Sequence, residues 1–321
     1  MVAVVTVVVA ALVTDTVGLP LRDPDHVAAL YLAIVGCGVA GLVGLDILLR
    51  ARARCGTFPP PRAVMGRVRR ERWTAQRAVI VGSALIGFYL TYMAYRNLKS
   101  VVPLLRPGEL FDRQLAELDR SLFGGHDPAA LLHAVLGTGF ATHVLSTAYV
   151  IFIVFLPLTI GVALVFLDDL RAGLFYTTAQ SVNWLLGAAS YFLLPSLGPI
   201  YAYPAAFAGL PASEVTRLQG VLLDQRLDFL RDPGAATPQS IAAFASLHIS
   251  MSLTAVVAAH LLGLGRRLKI GLWVWFVVTT LATIYLGWHY VLDDVGGVVL
   301  AVMALASARL LCGAGSRAGR R

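Results

Sequence analysis

Long apolar stretches, set apart by polar segments, constrain this chain more than any other feature of its sequence. Each is long enough to cross a bilayer as a helix, and a helix satisfies its own backbone hydrogen bonds in lipid. The sequence therefore predicts an all-α fold, a polytopic membrane helix bundle with about eight spans. The predicted spans are Val2–Leu19, Val27–Leu49, Ala78–Leu98, Val144–Leu167, Ala172–Leu194, Phe244–Leu264, Ile270–Trp288 and Val291–Leu311.

The composition argues against several other classes of protein. Charged residues make up 14% of the chain, against about 25% in soluble domains. The three cysteines form no C-x-x-C pair and do not lie near a histidine at metal-ligand spacing, which argues against a disulfide framework and a zinc site. The net charge of +8 more often marks cytoplasmic loops in a polytopic chain than nucleic-acid binding. We therefore expect membrane lipids, and no nucleic acid, as partners.

Basic residues are concentrated in segments that would share one side of the membrane. The segment 50–77 holds nine arginines, and basic residues also follow the sixth and eighth spans. The positive-inside rule places this side and both termini in the cytoplasm, and the segments 96–143 and 195–243 outside. The chain then divides into two N-terminal spans (1–49), a basic cytoplasmic loop (50–77), a six-span core (78–311) and a basic cytoplasmic tail (312–321).

One of the outward segments has the pattern of an amphipathic helix. Apolar residues recur there at helical spacing: Leu110, Phe111, Leu115, Leu118 and Leu122. A helix with one apolar stripe that does not cross the bilayer lies in its surface. We therefore predict a surface helix over Leu110–Leu122.

Ionisable side chains gather at the outward ends of the spans, where a charge near hydrocarbon is costly and therefore indicates a function. His289 and Asp293 are four residues apart, so they would share a helix face. The carboxylate would then hold the Nδ1 proton and leave Nε2 free to attack. The complete clusters are Arg96-Asn97-Leu98-Lys99 with Arg106-Pro107, Ser246-Leu247-His248, and His289-Tyr290-Val291-Leu292-Asp293-Asp294.

The other two clusters supply what a phosphoryl-transfer site needs. His248 lies at the start of a predicted span, where backbone N–H groups favour an anion, and its imidazole can donate a proton to a leaving oxygen. Lys99 and Arg106 add two cations, and an arginine binds phosphate through two parallel hydrogen bonds. Two histidines, a carboxylate and two cations predict a phosphoryl-transfer site that needs no metal and no cofactor.

These clusters resemble the three signatures of the type-2 phosphatidic acid phosphatase superfamily. Lys99-x6-Arg106-Pro107 resembles the first, K-x6-R-P, and Ser246-Leu247-His248 resembles the second, P-S-G-H. His289-x3-Asp293 resembles the end of the third, S-R-x5-H-x3-D. The resemblance extends from about Ala78 to Leu311. It implies a six-helix catalytic core to which the first two spans are an addition.

The resemblance also implies a role for each of these residues. His289 would be the nucleophile that forms a phosphohistidine, and Asp293 would orient it. His248 would protonate the leaving lipid alkoxide and then activate an alcohol or water. Thr283 stands where the third signature has arginine and would replace part of its contact. The phosphoryl oxygens would thus be held by Lys99, Arg106, Ser246 and Thr283.

The sequence departs from the phosphatase signatures in a consistent way. Ala245 and Leu247 replace the proline and glycine of the second signature, and Ala282-Thr283 replaces the Ser-Arg of the third. These forms, and a Pro/Gly-rich element at Pro195–Tyr201, look more like inositol phosphorylceramide synthases and sphingomyelin synthases. Such relatives move a phospho-headgroup from a lipid to an alcohol. The substrate would be a phospholipid or a polyprenyl phosphate, with an alcohol such as inositol as acceptor, at the outer face of a bacterial plasma membrane.

Two other functions remain open from the sequence. A polytopic glycosyltransferase that uses polyprenyl-phosphate sugars would place an acidic pair outside, as Asp293-Asp294 would be, and its activity would depend on a metal. A transporter would line its path with intramembrane His, Asp and Arg side chains. However, transporter sites more often lie near the midplane, and these charges lie at one face.

Overall fold

The computed structural model describes residues 1–23, 28–238 and 240–313, and every regular element in these ranges is helical. The start of the second predicted span, at Val27, and most of the predicted basic tail lie outside the described residues. A short 3₁₀ helix covers Pro204–Phe207. The α-helices are α1 (Val2–Asp15), α2 (Ala28–Cys55), α3 (Arg62–Arg72), α4 (Ala75–Leu105), α5 (Asp112–Leu122), α6 (Pro128–Leu136), α7 (Phe140–Phe166), α8 (Leu170–Leu193), α9 (Pro199–Ala202), α10 (Glu214–Arg231), α11 (Leu247–Leu261), α12 (Arg266–Tyr285) and α13 (Val291–Cys312).

Each of the eight predicted spans coincides with a helix. In the described part of the chain, five helices are long and apolar enough to cross a membrane: Ala33–Cys55 within α2, and α4, α7, α12 and α13. The helices α1 and α11 are apolar but have only 14 and 15 residues. The prediction of an all-α polytopic bundle is confirmed, and the protein is an integral membrane protein.

The helix α8 lies at the centre of the bundle and packs on α4, α7, α11 and α13. Its polar side chains are paired across the contact with α11. Asn183 donates to Thr254 Oγ1 at 2.9 Å and accepts from the Ser250 hydroxyl at 2.6 Å. Polar side chains of membrane helices commonly bond across a helix contact. These bonds explain why α8 is less apolar than the other spans, and they hold α11 against the centre.

The segment 50–77, predicted as the basic loop between the second and third spans, is mostly helical. The helix α2 continues to Cys55, and α3 covers Arg62–Arg72. Hydropathy alone ends the span where the arginines begin. The helix continues because these arginines have partners on neighbouring elements.

A buried carboxylate organises these arginines. Asp46 of α2 accepts hydrogen bonds from Arg50 Nε at 2.7 Å, Arg72 Nε at 2.7 Å and Trp73 Nε1 at 3.1 Å. Arg72 also donates to the carbonyl of Val165 in the last turn of α7 at 2.8 Å. The carboxylate therefore joins α2, α3 and α7 at one end of the bundle, which we call the basic end.

We expect Asp46→Ala to destabilise the protein. The Asp46 side chain is 1% exposed, and its removal leaves Arg50 and Arg72 with the exposed Asp168 as their remaining shared carboxylate. Removing one partner of a buried ion pair costs roughly 3–5 kcal/mol, so the thermal unfolding midpoint in detergent should fall clearly. Glu71→Ala is the control, because Glu71 pairs with Arg54 where both side chains are about half exposed, and such pairs contribute little. Equal midpoints for the two variants would contradict this account.

The predicted site clusters lie at the opposite end of the bundle. Arg77, near the start of α4, donates to the carbonyl of Leu167 at the basic end. Arg106, at the other end of α4, donates to the carbonyl of Phe192 near the end of α8. The starts of α11 and α13 lie at this second end, which we call the histidine end. The two predicted outward segments form α5, α6, α9 and α10 there.

Candidate active site

Two turns bring His248 and His289 together at the histidine end. His289 lies between α12 and α13, and His248 is the second residue of α11. His289 Nδ1 lies 3.3 Å from Oδ2 of Asp293, and His289 Nε2 lies 3.4 Å from Nδ1 of His248. Both His289 and Asp293 are buried. Three residues singled out in the sequence thus form one chain of polar groups, from carboxylate to imidazole to imidazole.

Backbone hydrogen bonds hold Asp293 in this chain. Its Oδ2 accepts from the N–H of Tyr290 at 2.9 Å, in the first turn of α13. The N–H of Ser246 donates to the carbonyl of Asp293, also at 2.9 Å. The segment that carries His248 is therefore bonded directly to the segment that carries His289.

The surroundings of His289 keep its imidazole neutral. Burial, followed by the positive charge of Lys99, lowers the pKa of His289. With the Nδ1 proton directed to Asp293, the lone pair of the neutral ring is on Nε2. A histidine nucleophile needs this protonation state.

Aromatic rings fix the position of His248. Its ring centre lies 4.7 Å from that of Tyr149 and 4.5 Å from that of Phe152, both on α7. Trp288 stacks on Tyr149 with the ring centres 4.9 Å apart and the planes parallel. Close aromatic packing of this kind is directional. It holds the His248 imidazole between α7 and His289.

Lys99 places a positive charge beside the two histidines. Its ammonium group lies 5.5 Å from the centre of the Tyr191 ring, and its charge acts on both His248 and His289. In the described ranges, no carboxylate lies within salt-bridge distance of this ammonium group. A cation in this setting, beside a neutral nucleophile, suits an anionic ligand such as phosphate.

Arg106 has partners of its own. Its Nε donates to Oε2 of Glu109 at 2.9 Å, and another of its N–H groups donates to the carbonyl of Phe192. Among the described residues, the structure gives no contact between Arg106 and the two histidines. The Arg106–Glu109 pair is partly exposed, at 31% and 50%, and exposed pairs contribute little to stability. Arg106 can therefore exchange Glu109 for another anion at low cost.

The sequence predicts phosphate contacts for Ser246 and Thr283, and in the structure both hydroxyls lie near Asp294. Thr283 Oγ1 lies 2.8 Å from the carbonyl oxygen of Thr280 and 3.3 Å from Oδ2 of Asp294, and the Ser246 hydroxyl contacts the same carboxylate. Both residues are fully buried. These contacts help to fix the start of α13, and the phosphate contact of the two hydroxyls stays a prediction.

The leucine that replaces the signature glycine is accommodated by glycines on neighbouring helices. A Cβ atom on Gly187 of α8 would lie 2.7 Å from the methyl groups of Leu247. On the other side, a Cβ atom on Gly297 of α13 would lie 2.4 Å from the carbonyl oxygen of Ser246. Glycines on α8 and α13 thus provide the space that the signature glycine would provide on α11, and the backbones approach closely.

The Pro/Gly-rich element packs on the turn that holds His289. The N–H of Ile200 donates to the carbonyl of Gly287 at 2.8 Å. Gly198 has a φ of +98°, and a Cβ atom there would lie 2.4 Å from the carbonyl oxygen of Trp288. Only glycine fits this backbone and this approach. The element therefore lies beside the candidate site.

Sequence reasoning missed two carboxylates on α5. The predicted surface helix exists over Asp112–Leu122, but its buried face carries Asp112 and Asp119. Asp112 accepts from the N–H of Gly198 at 2.9 Å and from the hydroxyl of Tyr290 at 3.1 Å. Asp119 accepts from the N–H groups of Val291 and Leu292 at 2.7 and 3.2 Å. Their seven-residue spacing, two helical turns, was the signal that could have identified them.

Through these bonds α5 stabilises the turn that carries His289, and we expect Asp119→Ala to destabilise this turn. The variant leaves two N–H groups at the start of α13 without an acceptor, which costs roughly 1–3 kcal/mol. Thermal unfolding in detergent measures the change. Glu117→Ala, at an exposed site on the same helix, should leave the midpoint unchanged. Equal midpoints for Asp119→Ala and Glu117→Ala would contradict the stabilising role of α5.

Comparison with known families gives one match. The model of the PAP2 superfamily matches residues 113–307, more than half of the chain. The chain belongs to the PAP2 superfamily. The match includes His248, His289 and Asp293, and it begins after Lys99 and Arg106. Membership of the PAP2 superfamily supports a phosphatase-type enzyme that acts on lipid phosphates. No curated protein and no solved structure matches the chain.

Proposed function

We propose that this PAP2 protein is a metal-independent lipid phosphotransferase or phosphatase that works through a phosphohistidine on His289. The observation that carries the proposal is the buried chain His248–His289–Asp293 beside the ammonium group of Lys99. Asp293 orients the nucleophile, His248 moves the proton, and Lys99 binds the phosphoryl oxygens.

In the first step, Nε2 of His289 attacks the phosphorus atom of a lipid phosphate. A P–N bond forms and the P–O bond to the lipid breaks. His248, in its protonated state, gives its proton to the leaving alkoxide. Asp293 stabilises the positive charge that develops on the His289 ring, and Lys99 stabilises the charge on the phosphoryl oxygens.

In the second step, His248 acts as a base. It takes the proton of water or of an alcohol as the oxygen attacks phosphorus and the P–N bond breaks. His289 returns to its neutral form, and His248 is again protonated. Water as acceptor gives free phosphate, and an alcohol as acceptor gives a new phosphate ester. The same residues therefore support a hydrolase and a transferase.

We favour the transferase, because this chain departs from the phosphatase signatures at Leu247 and at Ala282-Thr283. The missing arginine removes a positive charge from the phosphate site. The donor would be a phospholipid or a polyprenyl phosphate, and inositol is a candidate acceptor. This choice rests on the resemblance to the inositol phosphorylceramide synthase and sphingomyelin synthase branch.

The experiment is a product assay with purified protein in detergent and EDTA. Candidate donors are phosphatidic acid, other phospholipids and a polyprenyl phosphate, each with and without inositol. Free phosphate from a donor alone indicates a hydrolase. A new phospholipid that needs inositol indicates a transferase. Activity that EDTA abolishes would contradict a metal-independent mechanism, and the absence of any product would contradict the proposed function.

Arg106 is proposed as a second phosphate ligand, for which it would leave Glu109. We expect Arg106→Ala to lower kcat/KM about 10²–10³-fold and Arg106→Lys to restore only part, because lysine lacks the planar fork. Steady-state kinetics measure both. The control is Arg113→Ala, because Arg113 is 81% exposed on α5. Wild-type rates in Arg106→Ala would mean that Arg106 does not bind phosphate and only anchors the end of α4 at the membrane.

The orientation of the protein is also a proposal. The basic end carries most arginines of the 50–77 segment, so the positive-inside rule places it in the cytoplasm and the histidine end outside. Cys55 lies at the basic end and is partly accessible. In intact cells, a membrane-impermeant maleimide should label an introduced Arg217→Cys and spare Cys55. Labelling of Cys55 alone would reverse the orientation.

A further inference from the structure

Thr283 stands where the third signature has arginine, so the phosphate site has one positive charge fewer than that signature implies. Phosphoryl transfer places negative charge on three oxygens, and Thr283 adds no charge in its place. We infer that Arg226 of α10 supplies a further cation to the phosphate site, in addition to Lys99 and Arg106, from a helix that lies outside the three signature segments. This inference rests on the proposed function and names a further residue that contacts the substrate phosphoryl group.

The first observation is the position of Arg226. Its guanidinium donates to Oγ of Ser240 at 2.7 Å and to the carbonyl of Ile241 at 3.4 Å. The loop that carries these two partners continues directly into Ser246 and His248. The helix α10 also packs on α4, which carries Lys99. Arg226 therefore lies between the two segments that place the candidate proton donor and the candidate phosphate ligand.

The second observation is the charge around it. Lys99 is close enough to Arg226 for the two positive charges to repel each other. The acidic group that acts on Arg226 is Asp112, whose oxygens are already engaged by backbone N–H groups and by Tyr290. Lys99 is also repelled by Arg96, so positive charge is concentrated in this partly buried place, and a bound phosphate would lower the cost of that charge.

The third observation is that the loop after α10 is held by the N-terminal part of the chain, which precedes the six-span core. The guanidinium of Arg22 donates to the carbonyls of Gly234 and Ala236 at 2.8 and 3.0 Å. The Arg22 backbone is held in turn by Asn97 of α4, which donates to its carbonyl at 2.7 Å. These bonds fix the chain just after α10, the helix that carries Arg226, and a fixed position is the condition for an effective electrostatic ligand.

The test combines turnover with the binding of orthovanadate, a phosphate analogue. We expect Arg226→Ala to lower kcat/KM about 10²-fold and to reduce the thermal shift that orthovanadate gives the full-length protein. Arg226→Lys should fall between, and added guanidinium should restore part of the turnover of Arg226→Ala. Arg231→Ala is the control, because Arg231 is exposed on the same helix and pairs with Asp228.

Ser240→Ala separates a ligand from a tether. It removes the shorter of the two hydrogen bonds of Arg226 but keeps the guanidinium, so it should lose much less turnover and orthovanadate binding than Arg226→Ala. An equal loss in both variants would make Arg226 a tether and overturn the inference. So would an orthovanadate shift in Arg226→Ala equal to that of the wild type. The shift needs no turnover, so it tests Arg226 separately from the reaction, and loss of turnover in His289→Ala tests the reaction separately from Arg226.

Discussion

His289→Ala is expected to lower turnover by at least about 10⁴-fold, which is the scale of losses when a nucleophile is removed from an enzyme. The variant removes the atom that attacks phosphorus. The other histidine of the described site, His248, faces Nε2 of His289 through its Nδ1 and is the proposed proton donor, so we do not expect it to act as the nucleophile instead. The loss should appear in kcat for phosphate release and for phosphoryl transfer alike.

The control for this variant is His143→Ala. His143 lies at the start of α7, at the same end of the bundle, and is exposed. It should retain wild-type turnover. Expression and the thermal midpoint of His289→Ala should stay close to those of the wild type, which separates lost chemistry from lost folding. Substantial turnover in a folded His289→Ala protein would remove His289 from the mechanism.

The second large effect is expected from Asp293→Asn, at about 10³–10⁴-fold in kcat. The carboxylate holds the Nδ1 proton of His289 and stabilises the ring when it becomes positive, and an amide does neither well. Replacing the orienting aspartate of a Ser-His-Asp triad by asparagine, which leaves the geometry intact, has an effect of this size. The expected loss is in kcat, with little change in the affinity for orthovanadate.

The neighbouring acid provides a matched comparison. Asp294 is also buried, but its Oδ2 accepts from Thr283 and does not contact the histidine. Asp294→Asn keeps an oxygen for that bond, so we expect a loss of about tenfold or less. A larger loss for Asp294→Asn than for Asp293→Asn would mean that Asp294, and not Asp293, orients His289.

The sequence was informative about the fold wherever hydrophobicity alone decides the structure. The apolar stretches became helices because lipid offers the backbone no other partner. The helix α3 was missed because its arginines look solvated in the sequence, whereas Arg72 is held by Asp46 and by carbonyls of α7. The partner of an arginine on a distant helix cannot be read from local composition.

The same reasoning explains what was found and missed in the site. His248, His289 and Asp293 are conspicuous because they interrupt or border apolar segments. Asp112, Asp119 and Arg226 lie in polar segments, where charged residues are ordinary, and only the seven-residue spacing of the two aspartates distinguishes them in the sequence.

The pairing of Leu247 with Gly187 depends on two helices that lie 60 residues apart in the chain. Only their packing reveals it. The sequence shows that the signature glycine is absent, and the structure shows that a glycine on α8 makes room for the leucine in its place.

The most direct test of the central claim is to trap the intermediate. The protein is mixed with a lipid phosphate labelled at phosphorus, in EDTA, and quenched in base, in which a phosphohistidine is stable. We predict label on the wild-type protein that acid releases, that maps to His289, and that is absent from His289→Ala. Product formation by a protein that carries no such label, or label that persists in His289→Ala, would contradict a phosphohistidine at His289.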